Sequence, residues 1–135
     1  MLPHRSCTIA LAVMLLALST AQAADDVLTL SCRGTATSAK KADAKPEPIF
    51  MMSIIVNFAK RTVHGFGGSV SVNIIDVNEA TLSFGGSSPS GSVNGSLDRV
   101  TGEAEATSVL RDAKTGDILL MNNLALKCRP AQRMF

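Results

Sequence analysis

The side chains in this sequence that could do chemistry are few and scattered. His64 is the sole imidazole beyond His4, and it has no Ser or Cys partner at the spacing of an activated nucleophile. A lone histidine on a strand is read as surface or packing rather than catalytic. Ser87, Ser88 and Ser90 lie in a Gly/Ser/Pro stretch without the GxSxG elbow that exposes a catalytic serine. Gly65-Phe-Gly67-Gly68 has part of a phosphate-cradling glycine pattern but lacks its spacing and the helix that must follow. The acids invite a carboxylate-pair or calcium reading, and their spacing refuses it. Asp98-Arg-Val-Thr-Gly102 and Asp112-Ala-Lys-Thr-Gly116 each offer one acid between apolar runs, and no DxDxDG loop is present. In both, Asp suits the capping of its own turn, and Gly supplies the positive φ that closes a hairpin. Asn57 and Asp76-Val-Asn78 are looser versions of that chemistry. The chain therefore reads as a non-enzyme, with no cofactor and no metal site.

Cysteine chemistry is more informative. Leu28, Leu30 and Cys32 alternate onto one face of a strand, and Leu124, Leu126 and Cys128 do the same near the other end. A Cys32–Cys128 disulfide would close a loop of roughly 97 residues and constrain the unfolded chain by roughly 4–5 kcal/mol. The alternative is two separate buried thiols. Their separation rules out a CxxC redox pair, and other ligands for a metal are lacking.

The oxidising compartment such a bond requires agrees with the N-terminus. Arg5 with His4 precedes a ten-residue apolar run, Ile9 to Leu18, and then Ser19-Thr-Ala-Gln-Ala23. This is the pattern of a secretory signal peptide over residues 1–23, leaving 24–135 as one domain. Ten apolar residues cover about 15 Å, half the thickness of a hydrocarbon core, so no membrane span is expected after cleavage. Cys7 precedes the apolar run, so it does not serve as a lipoprotein cysteine. The protein is expected in the periplasm or secreted. Its formal charge is +2 over the whole chain, and removal of Arg5 takes one positive charge away. So balanced a surface argues against nucleic acid as a partner. With no Trp or Tyr and five Phe, base-stacking platforms and aromatic sugar clefts are poorly supplied.

Elements that would position these residues are strands throughout. A first strand is expected over about 26–35, then a long polar loop from Thr35 to Pro48. Phe50, Met52, Ile54, Val56 and Phe58 alternate in a second strand whose other face, with Met51 and Ile55, is also partly apolar and open to being covered. Short strands follow at 62–66, 70–74 and 80–84, then a Gly85–Gly91 loop. A sixth strand spans Val93 and Leu97, a seventh 103–111, and the last 117–128 with Asn122-Asn123 as a bulge. Ala106, Val109, Leu110 and Ala113 also fit a helical spacing, so a helix is the alternative for the seventh. The expected fold is an all-β, antiparallel up-and-down meander of eight strands closed into a small barrel, with a two-sheet β-sandwich as runner-up. A terminal Phe135 matches outer-membrane barrels, but Arg129, Pro130 and Arg133 break the required alternation and no aromatic girdle exists.

Successive connections in a meander alternate between two ends. Thr35–Pro48, Phe66–Ser69, Gly85–Gly91 and Asp112–Gly116 would share one end, with tight turns at the other. Exposed loops on a rigid scaffold are where recognition sits, so Lys40, Lys41, His64, Phe66, Ser88 and Lys114 form the candidate binding rim, with Phe66 as its apolar anchor. The competing reading is of loops merely tolerated there.

The runs Leu28-Thr-Leu-Ser-Cys-Arg-Gly34, Leu97-Asp-Arg-Val-Thr-Gly102 and Leu126-Lys-Cys-Arg-Pro-Ala-Gln-Arg-Met-Phe135 resemble small exported bacterial proteins to which no activity is assigned. In outline the chain is also similar to the periplasmic inhibitors of C-type lysozyme, although no Ser/Lys loop motif aligns residue by residue. The function expected is an exported binding module for an envelope or extracellular protein or a small apolar ligand. The alternative is a structural or stress-related envelope protein without a specific ligand.

Overall fold

Period-two alternation of Val, Ile, Leu and Phe builds strands rather than helices here, because each strand then offers one apolar face to a shared interior. The computed structural model describes residues 26–67 and 70–132. The expected signal peptide, Gly68, Ser69 and the C-terminal residues 133–135 lie outside them. Eight strands follow in order: β1 (Val27–Ser38), β2 (Glu47–Asn57), β3 (Thr62–His64), β4 (Val72–Val77), β5 (Thr81–Ser88), β6 (Gly91–Asp98), β7 (Glu103–Arg111) and β8 (Ile118–Pro130). Each pairs antiparallel with the next, and β1 pairs with β8, so the sheet closes into an all-β barrel in simple up-and-down order. Residues 103–111 form a strand, not a helix.

Closure rests on the two cysteines. Cys32 and Cys128 are direct partners across β1 and β8, 4.0 Å apart at Cα, and their sulfurs are bonded. Both belong to the core with Leu30, Ile54, Val56, Leu82, Phe84 and Leu97. On β5 and β6, Phe84 is paired with Gly95, where a Cβ would come within 2.6 Å of the ring and 2.4 Å of the Glu105 carbonyl oxygen. Gly95 is thus required by the packing of an aromatic ring rather than by a turn.

Several expected boundaries move. The polar loop of 35–48 shrinks to 39–46, because β1 runs on to Ser38 and pairs with β8 as far as Asn122. Gly85–Gly91 is not a loop: β5 continues to Ser88, paired in unbroken register with β6, and only Pro89 and Ser90 turn. Asn122 and Asn123 are not a bulge. They pair regularly with Ser108 and Thr107, and the register shift on that ladder falls between Leu110 and Arg111 instead.

The largest departure is on β2. The β1–β2 register shifts between Cys32, opposite Met52, and Gly34, opposite Ile49, so β2 carries one extra residue there. A bulge resets which side chains face inward. Phe50 and Met51 both project outward, 85% and 82% exposed, instead of Phe50 joining Met52 and Ile54 inside. The outer face of β2 is not covered.

Candidate functional site

Turns hold the two ends of the barrel open or shut. Asp98 Oδ1 accepts from the backbone N–H groups of Val100 (2.8 Å) and Thr101 (2.9 Å), and Gly102 closes the turn at φ 79°. Asp112 repeats this with Lys114 (2.8 Å) and Thr115 (3.0 Å). Those backbone donors hold both carboxyls below the ordinary value of 3.8, with Thr101 the larger influence on Asp98 and Thr115 on Asp112. Asn78 caps the β4–β5 turn in the same manner through Ala80 and Thr81. The acids are turn caps.

Up-and-down order puts the connections that follow β1, β3, β5 and β7 at one end. Lys40, Lys41, His64, Phe66, Ser88 and Lys114 do not stand level there, since His64 pairs with Ile55, two residues from the tight-turn end of β2 and eight from Glu47. No hydrogen bond or ion pair joins any two of the six among the described residues. Lys40 is tied to the barrel, donating from Nζ to the Ile118 carbonyl at 2.8 Å. Ser88 shares a 2.9 Å hydroxyl contact with Ser90 across its own turn. His64 is exposed at the end of β3, Lys41 is exposed, and Lys114 sits in the capped Asp112 turn. Phe66 is no exposed anchor. Its ring stacks on Phe84, centroids 5.0 Å apart, and packs against the core.

The apolar side chains that this rim does present were missed in the sequence. β7 and β8 extend to the tip of a hairpin on which Leu110, Ile118, Leu119 and Leu120 are all exposed. Leu110 and Leu120 are direct partners, on the strand faces that carry Ala104, Ala106, Leu124 and Leu126 deeper in the barrel. β6 starts at Gly91 beside Leu110. Past the ends of β6 and β1 the hairpin is reached by the Ser90 carbonyl, which accepts from the Arg111 N–H, and by Ala39 and Lys40, which donate to the Met121 and Ile118 carbonyls. Beyond those points the barrel supplies no interior for these leucines. Only the relative lengths of neighbouring strands reveal that these side chains overrun it.

Inside, the void among Leu30, Ile54, Val63, Phe84 and Leu97 is about 10 Å³. That is the threshold for a single water, so no ligand chamber opens there. The tight-turn end is less closed than expected. Leu28, Phe58, Leu82 and Leu97 line an apolar depression of about 200 Å³, and the Arg99 guanidinium lies 5.9 Å from the Phe58 ring centre. A polar shelf of about 580 Å³ crosses the outer face of β6, β7, β8 and β1, where Asn94, Thr107, Asn123 and Thr37 form one transverse row. Thr107 donates to Asn123 at 3.0 Å within it.

The described residues contain no group of three or more His, Cys, Asp or Glu placed to hold a metal. No helix among them is long and apolar enough to cross a membrane. Compared with family models, curated proteins and solved structures, the chain matches none.

Proposed function

We propose that the protein is an exported binding module that recognises another protein through the rim formed by connections 39–46 and 112–117. One observation carries this reading: four large aliphatic side chains stand exposed together on the projecting β7–β8 hairpin. Stability gives no reason to extend two strands past the barrel and clothe them in leucine, whereas clustered exposed apolar residues rimmed by charge suit a protein interface. The two connections carry charge of both signs, Lys40, Lys41, Lys45 and Lys114 with Asp43, Asp112 and Asp117, and Arg111 stands at the adjoining end of β7. A small apolar ligand is the weaker partner, because the core leaves it no interior room. Export is supported by the apolar run of residues 9–18 and by a disulfide whose formation suits an oxidising compartment.

The test compares affinity capture from an envelope extract by the native protein and by variants. Leu119→Ser with Leu120→Ser, and separately Lys40→Glu with Lys41→Glu, should lose the captured protein while keeping the melting temperature. Arg99→Ser at the opposite end should retain it. Capture that survives the rim changes and disappears with Arg99→Ser would place recognition at the tight-turn end instead.

A further inference from the structure

The outer wall beside the disulfide combines features that folding alone would not select. Arg33 on β1 and Lys127 on β8 are direct partners, and Arg129, two residues on, faces Ser31. Like charges placed opposite each other on a ladder destabilise it. Glu103 offsets them only in part, 3.9 Å from Lys127 with both side chains more than half exposed. Glu105 lies beyond it along a groove that Arg33 and Lys127 also line, on the side away from Arg129. Arg33 and Arg129 have no ion-pair partner among the described residues. These cations lie along a trough of about 390 Å³, with Phe50 and Met51 as one wall and Thr101 at the other. Next to Thr101, Val100 is 80% exposed at the tip of its turn. Apolar side chains thus flank a cationic floor on both sides, on a molecule close to neutral overall.

We propose that this trough seats the anionic surface of a phospholipid bilayer, its three cations against headgroup phosphates and Phe50 and Met51 dipping into the acyl boundary. Charge complementarity names the headgroups, and the bulge names the bilayer. A protein partner would need a shaped pocket for two consecutive protruding side chains, whereas a bilayer accepts them without one. This site is on the barrel wall and does not depend on the rim described above, which it would leave free for a partner.

Residues 24–135 contain every strand of the closed barrel and serve as the test protein. Cosedimentation is measured with vesicles of phosphatidylglycerol and phosphatidylcholine, three parts to seven, and with phosphatidylcholine alone. Binding is expected to the first and not the second, weakening as salt is raised. Each cation removed should weaken it about fivefold, so Arg33→Ser with Arg129→Ser costs about 25-fold. Phe50→Ser with Met51→Ser should weaken it at least as much with the melting temperature kept, since both side chains are already in solvent. Lys60→Ser, an exposed lysine on the 58–61 connection outside both trough and rim, is the control that changes nothing. Absence of vesicle binding, equal binding to the neutral vesicles, or indifference to the arginine variants would overturn the proposal. If inorganic phosphate binds the trough while the Phe50/Met51 variant holds vesicles as well as the native protein, the site is one for free anions and the bilayer proposal fails.

Discussion

Thr62 sits on the shortest strand with its hydroxyl buried and without a hydrogen-bond partner. A buried hydroxyl left unpaired loses its water and gains nothing, and Val matches its shape. Thr62→Val should therefore raise stability by about 1 kcal/mol, measured as a shift of the urea midpoint; a lower midpoint would show that the hydroxyl has a partner after all. Asp98 and Asp112 act in the opposite sense. Their folded-state pKa values are depressed below 3.8, so the stability they lend is present above that value and is lost as pH falls through the lower folded values. Asp98→Asn with Asp112→Asn keeps an acceptor oxygen but removes the titration. The double variant should show a flatter acid limb below about pH 4 than the native protein, followed by urea midpoints at successive pH values. These caps were legible in the sequence, since a turn is a local object and Asp-x-x-Thr-Gly contains all its parts. Phe50 was not, because the bulge that turns it outward is a property of the β1–β2 register and leaves no trace in alternation.

Elements were legible where alternation was clean and misread where glycine was dense. Gly85 and Gly86 resembled a loop because composition records what a residue prefers, while β5 is held by ladders on both sides at Gly85, with β4 and β6. Conversely, β7 and β8 were correctly read as strands, but their overrun past β6 and β1 depends on where neighbours stop. Gly95 tests the packed half of the barrel. Gly95→Ala would press a methyl onto the Phe84 ring and the Glu105 carbonyl, and should destabilise by about 1–3 kcal/mol. Thermal unfolding reads this directly, and an unchanged midpoint would mean that the ring does not lie over Gly95. The same substitution should leave rim binding intact, because Gly95 is far along β6 from Gly91 and the 89–90 turn.

At the scale of the whole molecule, one bond and one ladder turn a meander into a barrel. The disulfide was foreseen from two alternating segments near opposite ends, and the eight-strand closure from the assumption that they are neighbours; their register was not foreseen. Reduction should lower stability by about 4–5 kcal/mol through the entropy regained by the unfolded chain, and the oxidised protein should show no free thiol among Cys32 and Cys128 under denaturing, non-reducing conditions. Closure also underlies the functional account, since only an up-and-down barrel gathers the connections 39–46 and 112–117 at one rim. Because the Cys128 N–H donates toward Gly102 rather than toward β1, the Cys32–Cys128 pair is of the close, non-hydrogen-bonded kind. The most direct test is therefore the nuclear Overhauser effect between the Hα protons of Cys32 and Cys128 and of the next such pairs, Leu30–Pro130 and Gly34–Leu126. A continuous series of strong cross-strand effects is the result predicted. An effect confined to the cysteines, with none at the flanking pairs, would mean that the disulfide joins two sheets without a β1–β8 ladder, and the closed barrel with its shared rim would be wrong.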